Sequence, residues 1–300
     1  GAKKVVVDVD AAELRKFKFK LDVGVVASAD LFVEELLSKL DKVVKKDRSP
    51  WFAKCRQWKE KYPPVMPEHW HQEKFVSTYA LVDTLSKLTA EKDLFVPENS
   101  GAASEVVMQA VRLKKGQRVI TTNGLGSMGS GLPATIGACV AAGKQRTISV
   151  IGDGSWQMNL QDLETVVRLK LPIKYFILNN DGYGSIRNTQ RNYFKGRYVG
   201  SCCSSGVTLP SLAKIAAAYN LDYFEINKNS ELEEKVGQAL RTSGPVVCAI
   251  NVDPNEPTMP KLQSQIKPDG SMVSKPLEDL WPFLDREEFR ANMIVKPLDE

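Results

Sequence analysis

The sequence predicts an α/β fold built around a mostly parallel sheet. Along most of the chain, short β-branched runs alternate with longer segments of helical period, the pattern of βα units. In the middle, residues 146–151 (RTISVI) and 173–178 (IKYFIL) read as two buried strands flanking one helix. That helix carries its apolar positions at Met158, Leu160, Leu163, Val166, Val167 and Leu169, and Leu171-Pro172 stops it. Both strands end on polar residues, Gly152-Asp153-Gly154-Ser155 after the first and Asn179-Asn180 after the second. The carboxyl ends of strands are where open α/β sheets bind ligands.

The residue types suggest the chemistry. Asp153 offers a hard anionic oxygen and Asn180 a neutral carbonyl oxygen, from strand ends that a βαβ crossover brings side by side. Gly182 lets the backbone turn so that its own carbonyl points inward. Three such oxygens suit Mg²⁺, which prefers octahedral oxygen coordination and completes its shell with phosphate oxygens. Gly154 and Ser155 stand at the expected helix start, where free N–H groups and the helix dipole attract an anion. A metal beside a helix N-terminus implies a diphosphate. GDG alone would fit a plain βαβ unit with an Asp N-cap equally well; the Asn pair in register separates the two readings.

GDG, a spacer and NN resemble the cofactor motif of thiamine diphosphate-dependent enzymes. The stretch GDGSWQMNLQDLETVVRLKLPIKYFILNNDGYG is similar to their acetolactate synthase-like branch, and the resemblance runs over residues 75–260. It implies a three-layer α/β/α thiamine diphosphate-binding fold. It further implies Mg²⁺ on Asp153, Asn180 and the Gly182 carbonyl, with the diphosphate held by the Gly152-Gly154-Ser155 turn. A strand at 93–96 precedes the polar turn 97–101 (PENSG), a second place the family uses for the diphosphate, so Ser100 joins the candidates. Acetolactate synthases carry a Gln-His pair there, and this chain has small residues instead.

Residues 124–129 (GLGSMG) match the dinucleotide fingerprint GxGxxG, and Asp153 ends the following strand, as a ribose-binding acid would. An NAD-dependent dehydrogenase is therefore a rival reading, although a nicotinamide site has no need of the Asn pair. The stretch GLGSMGSGLPATIGA also resembles the family's pyrimidine-binding loop. There Met128 would push under the thiazolium and donate its N–H to a ring nitrogen, and the Gly126 carbonyl would accept from the aminopyrimidine. After the Asn pair, residues 181–205 read as a long polar loop, in which Tyr183, Ser185 and Ile186 are placed to line the cofactor and substrate pocket. Authentic acetolactate synthases have Met-Val and then Trp where this chain has Ser185-Ile186 and Thr189, which puts acetolactate formation in doubt.

The remaining elements fill out the sheet. Helices are expected at 73–88, 103–113, after Pro133, at 210–219 and at 231–241, with strands at 119–122, 223–226 and 245–252. Residues 1–45 hold a strand (3–9), a short amphipathic segment (11–19), a strand (23–27) and a helix (30–40) with Asp30 as N-cap. By the resemblance they are the tail of a Rossmann-like middle domain, or else an N-terminal unit of a small complete subunit. Residues 46–70 are expected as a linker, with Pro50, Pro63, Pro64 and Pro67 as breakers. The cofactor domain is then 71–262, and 263–300 an irregular extension wrapping a neighbouring subunit. His69 and His71 read as surface or interface residues.

Composition excludes several classes. A formal charge of +5 is slight for 300 residues, and the basic run 42–48 lacks any recognition motif, so nucleic acid is not an expected partner. Cys55, Cys139, Cys202, Cys203 and Cys248 show no metal spacing; their odd count fits a reducing, cytoplasmic setting, with Cys139 and Cys248 in the core. There is neither a signal peptide nor an apolar stretch long enough for a bilayer. The expectation is a thiamine diphosphate- and Mg²⁺-dependent homo-oligomer that decarboxylates or carboligates a 2-keto acid. The resemblance puts the catalytic Glu in an N-terminal domain; Glu98 and Glu164 do not match it, so the chain alone would be inactive. Whether a middle domain holds FAD is open. A non-catalytic assembly subunit is the third class, against which the metal ligands argue.

Overall fold

Residues 2–98, 101–122, 124–266 and 269–295 are described by a computed structural model, which divides at Tyr62/Pro63 and again at Gln263/Ser264. Residues up to Tyr62 and those from Ser264 onward form one unit, and Pro63–Gln263 the other.

In the first unit, β1 (Val5–Asp8) pairs in parallel with β2 (Val23–Val26) across α1 (Ala11–Arg15), which Asp10 caps by accepting from the Ala12 N–H. The following helix, α2 (Ala29–Leu37), has Ser28 rather than Asp30 as its N-cap; Asp30 sits in the first turn and receives the Ser28 hydroxyl. The expected linker is also wrong in part, because α3 (Ser49–Lys61) occupies most of it. Pro50 starts this helix instead of breaking it, since a first-turn residue has no intrahelical use for its missing N–H.

The second unit opens with α4 (Pro67–Trp70), α5 (Thr78–Leu88), β3 (Leu94–Pro97), α6 (Ala102–Ala110) and β4 (Arg118–Val119). It continues through α7 (Gly131–Ala141), β5 (Thr147–Gly152), α8 (Asp153–Trp156), α9 (Leu163–Arg168), β6 (Ile173–Asn179) and α10 (Gly184–Tyr193). It closes with α11 (Leu212–Ala218), β7 (Asp222–Ile226), α12 (Leu232–Arg241) and β8 (Val246–Asn251). The six strands form one all-parallel sheet in the order β4-β3-β5-β6-β8-β7.

Alternate strand residues face two separate cores. Phe95, Ile148, Val150, Phe176, Leu178 and Ile250 pack under α5, α6 and α12, whereas Ile151, Ile173, Tyr175, Ile177 and Val247 pack under α7, α9 and α11. Both faces are therefore covered, which is the three-layer α/β/α fold and explains why β6 is an apolar run apart from Lys174 and its terminal Asn179.

Three further expectations are corrected. The single helix expected across 158–169 is broken, because Asn159 leaves helical geometry (φ −134°) where its side chain donates to Gly129 O at 2.6 Å. Residues 184–193 form α10 rather than loop; Ser185, Asn188, Thr189 and Asn192 are polar cleft-lining positions and its one buried residue is Arg187, so no apolar stripe announces it. His69 is buried, not surface, stacked on Tyr79 at 4.1 Å with Nδ1 accepting the Met66 N–H, and burial holds its pKa below the usual imidazole value.

The C-terminal segment belongs to the first unit and is not irregular. It contains a hairpin of β9 (Ser264–Ile266) and β10 (Met272–Ser274), then α13 (Arg286–Asn292), capped by Asp285. Trp58 Nε1 donates to Asn292 Oδ1 at 2.8 Å and Lys61 pairs with Glu288 at 2.8 Å, so the tail packs on α3 of its own chain. Among the described residues no helix is long and apolar enough to cross a membrane.

Lys174 is the one charge inside the central strands. It is 1% exposed, and its Nζ donates to Thr242 O at 2.5 Å and Gly244 O at 2.6 Å, tying β6 to the turn before β8. Lys174→Met keeps the length but strands both acceptors, so urea unfolding should show a loss of about 1–3 kcal/mol. A loss within the measurement error would remove this role.

Candidate cofactor and metal site

The sheet topology creates the cleft. From β3 the chain runs outward to β4, and from β5 it runs the other way to β6, so the two connections diverge between β3 and β5. A crevice opens at the carboxyl ends of strands at such a switch point. Here it is a cleft of about 270 Å³ lined by Met128, Gly152, Gly154, Ser155, Asn180, Gly182, Tyr183 and Ile186 among others. These eight sequence-predicted residues therefore come together. Gly126 is outside the lining and Ser100 lies outside the described residues.

Asp153 sits just behind this surface, 3% exposed. Its Oδ1 accepts the Gly154 N–H at 2.6 Å, while Oδ2 accepts from Asn180 N at 3.0 Å and Gly182 N at 3.4 Å. One carboxylate thus bridges the ends of β5 and β6. Burial pushes its pKa up to about 6, against the pull of the backbone N–H groups. A buried carboxylate in that condition is stabilised by an adjacent cation.

The Asn180 amide completes a donor set. One of its terminal atoms lies 2.8 Å from Gly182 O and 3.2 Å from Asp153 Oδ1. With nitrogen there, both contacts are hydrogen bonds; with oxygen there, three acceptors converge with no hydrogen between them. An octahedron with metal–oxygen distances of about 2.1 Å has edges of about 3.0 Å, so these spacings suit Mg²⁺ coordinated by one carboxylate, one amide and one backbone oxygen. The residues fit the metal.

Close contacts fix the turn that carries these oxygens. Gly182 has φ +117°, and a Cβ there would stand 2.6 Å from Ser201 O, which also accepts the Tyr183 N–H at 2.9 Å. At Gly154, a Cβ would meet the Tyr183 ring at 2.7 Å. Both positions need glycine for space, and Gly182 for conformation as well.

The predicted anion site is reshaped. Asp153–Trp156 is a helix of only four residues, so the expected long-helix dipole is absent. The Ser155 hydroxyl donates to Glu98 Oε2 at 2.6 Å and accepts the Gly129 N–H at 2.7 Å. Glu98, 1% exposed, also accepts from Gly131 N at 3.2 Å. It thereby ties the end of β3, the 124–131 loop and the Ser155 turn together. Sequence reasoning considered Glu98 only as a catalytic acid and missed this role. The signal was available: a polar residue directly after a buried strand, the same rule that found Asp153.

The strand order disposes of the dinucleotide reading. The GLGSMG loop follows β4, an edge strand of two residues, and Asp153 follows β5, with β3 lying between them. A ribose-binding acid would have to end the strand adjacent to the one that feeds the glycine loop. Asp153 also has both oxygens engaged by N–H groups.

Comparison with known proteins agrees. Residues 99–250, half of the chain, match the thiamine pyrophosphate enzyme, C-terminal TPP binding domain family. The chain belongs to the thiamine pyrophosphate-dependent enzymes, as a C-terminal part of the acetolactate synthase-like type. It is 31% identical to the acetolactate synthase large subunit of Porphyra purpurea over 267 residues, covering 87% of this chain and 43% of that protein. It is 30% identical to the isozyme 3 large subunit of Escherichia coli K12, covering 85% and 44%. Its fold matches a thiamine diphosphate-dependent 4-hydroxybenzoylformate decarboxylase of Rhodococcus jostii RHA1 with TM-score 0.64 at 22% identity, covering 84% of this chain and 44% of that one. The chain spans less than half the length of these relatives.

The crowding at Gly154 gives a sharp test. Gly154→Ala should abolish thiamine diphosphate binding, and adding Tyr183→Ala should recover part of it by removing the clashing ring. Equal losses in the single and double variants, measured by calorimetry, would place the defect elsewhere.

Proposed function

We propose that this chain is the diphosphate-binding half of a thiamine diphosphate- and Mg²⁺-dependent enzyme acting on a 2-keto acid by decarboxylation, carboligation or both. The observation that carries the proposal is the convergence of Asp153, Asn180 and the Gly182 carbonyl on one point beside the cleft. These three would hold Mg²⁺, and the Gly152-Gly154-Ser155 turn would face the diphosphate. When bound, the cofactor supplies a carbon nucleophile and an electron sink for cleavage beside a carbonyl. Met128, one-third exposed on the cleft wall, would support the ring portion, together with the Gly126 carbonyl.

The acceptor side is polar. Ser185, Asn188, Thr189 and Asn192 of α10 line the cleft beside Ile186 and Tyr183. A wall of hydrogen-bonding groups favours an acceptor or donor other than two keto acids with small apolar side chains, so acetolactate formation itself is the less favoured activity. No residue of this chain serves as the catalytic acid; an N-terminal domain would supply it, met across a homo-oligomer in the cytoplasm. Residues 1–45 would belong to the middle domain.

The test is calorimetric titration of the full-length natural protein with thiamine diphosphate, with and without Mg²⁺, and with NADH. Binding should require Mg²⁺ and weaken by about tenfold or more in Asp153→Ala and Asn180→Ala, since even outer-shell partners of a metal are worth that much. Metal-independent binding, or binding of NADH, would overturn the proposal.

A further inference from the structure

The turn bearing Asn180 and Gly182 is held from behind by a side chain that the chemistry above leaves unused. Arg187, on α10, is 4% exposed. Its Nη2 donates to Asn180 O and to Pro254 O, each at 2.8 Å, and its Nη1 to Asp181 O at 3.2 Å. Nε has no partner. Every acceptor is a backbone carbonyl, and among the described residues no carboxylate forms an ion pair with it.

A guanidinium stays protonated in a protein, so burial cannot relieve its charge as it can for a lysine. Burying such a charge is costly without a counter-ion, and carbonyl dipoles offset only part of the cost. This charge sits on the backbone carbonyls of the turn that carries Asn180 and Gly182, a site whose expected occupant, Mg²⁺ with a diphosphate, is a net anion. In the low dielectric of a buried turn that attraction is weakly screened. The fork has a second effect: it fixes the carbonyls of 180 and 181, and with them the direction in which the Asn180 amide and the Gly182 oxygen point.

We propose that Arg187 is a positioning residue and the built-in counter-charge for the Mg²⁺–diphosphate end of the cofactor. This rests on the thiamine diphosphate reading of the site. A merely structural clamp joining α10, the end of β6 and the segment after β8 would make the same contacts, but its loss would not depend on whether the replacing side chain keeps a charge.

The experiment measures thiamine diphosphate and unphosphorylated thiamine, both with Mg²⁺, by calorimetry on the full-length natural protein and on Arg187→Met and Arg187→Lys. Relative to thiamine, diphosphate affinity should fall about tenfold in the Met variant and about threefold in the Lys variant, which keeps the charge but loses the fork. Loss of the fork alone would lower the ratio as far in the Lys variant as in the Met variant, and that result, or an unchanged ratio, overturns the proposal. Should the Met variant not fold, Arg187→Gln takes its place in the same comparison with Lys. Absence of thiamine diphosphate binding in the unaltered protein would instead defeat the cofactor reading.

Discussion

The arrangement depends on a single carboxylate buried where two strands end. Asp153 leaves β5 at Gly152, which lies opposite Leu178 of β6, and its oxygens collect N–H groups from its own turn and from the turn after β6. That bridge joins the turn after β6 directly to the end of β5. The same carboxylate is the only anion in the candidate donor set. Its burial, which raises its pKa, costs the fold something that a cation would return, so stability and ligand binding meet in one side chain.

The rest of the second unit makes that bridge rigid. With both faces of the sheet covered, β5 and β6 cannot twist or slip independently of α5 and α6 on one side and α7 and α9 on the other. Glu98 repeats the Asp153 device one strand away, gathering Ser155 and Gly131 to the end of β3. The loop 124–131 and the GDGS turn are thereby joined through protein atoms alone, and a Cβ at Gly131 would intrude on Glu98 at 2.3 Å. Hydrogen bonds to two buried acids thus join the turns around the cleft, on a sheet that apolar packing holds rigid.

What the sequence disclosed follows from how each feature is stabilised. β5, β6 and β8 were legible because they are buried on both faces and write that burial as apolar runs. The candidate metal ligands Asp153 and Asn180 stood out because each directly follows or ends such a run. Less visible were features fixed by a distant partner: the break at Asn159 exists because of Gly129, and the burial of His69 because of Tyr79. The helix α10 was hidden for a related reason. Its buried position, Arg187, is occupied by a charge, which a search for apolar periodicity counts as surface.

Two buried cations at opposite ends of β6 show why burial alone does not define a role. Lys174, near the start of the strand, donates to two carbonyls, and burial draws its pKa down to about 8. An ammonium in that position can shed its proton at modest cost, so it needs no anion and serves the fold. Arg187, beyond the end of the strand, also sits on carbonyls but has no such outlet. A charge that cannot be given up, kept on a turn of converging oxygens that Asp153 also holds, favours an anion bound at that turn. The carboxyl end of β6, where the cleft lies, is where such an anion would be bound.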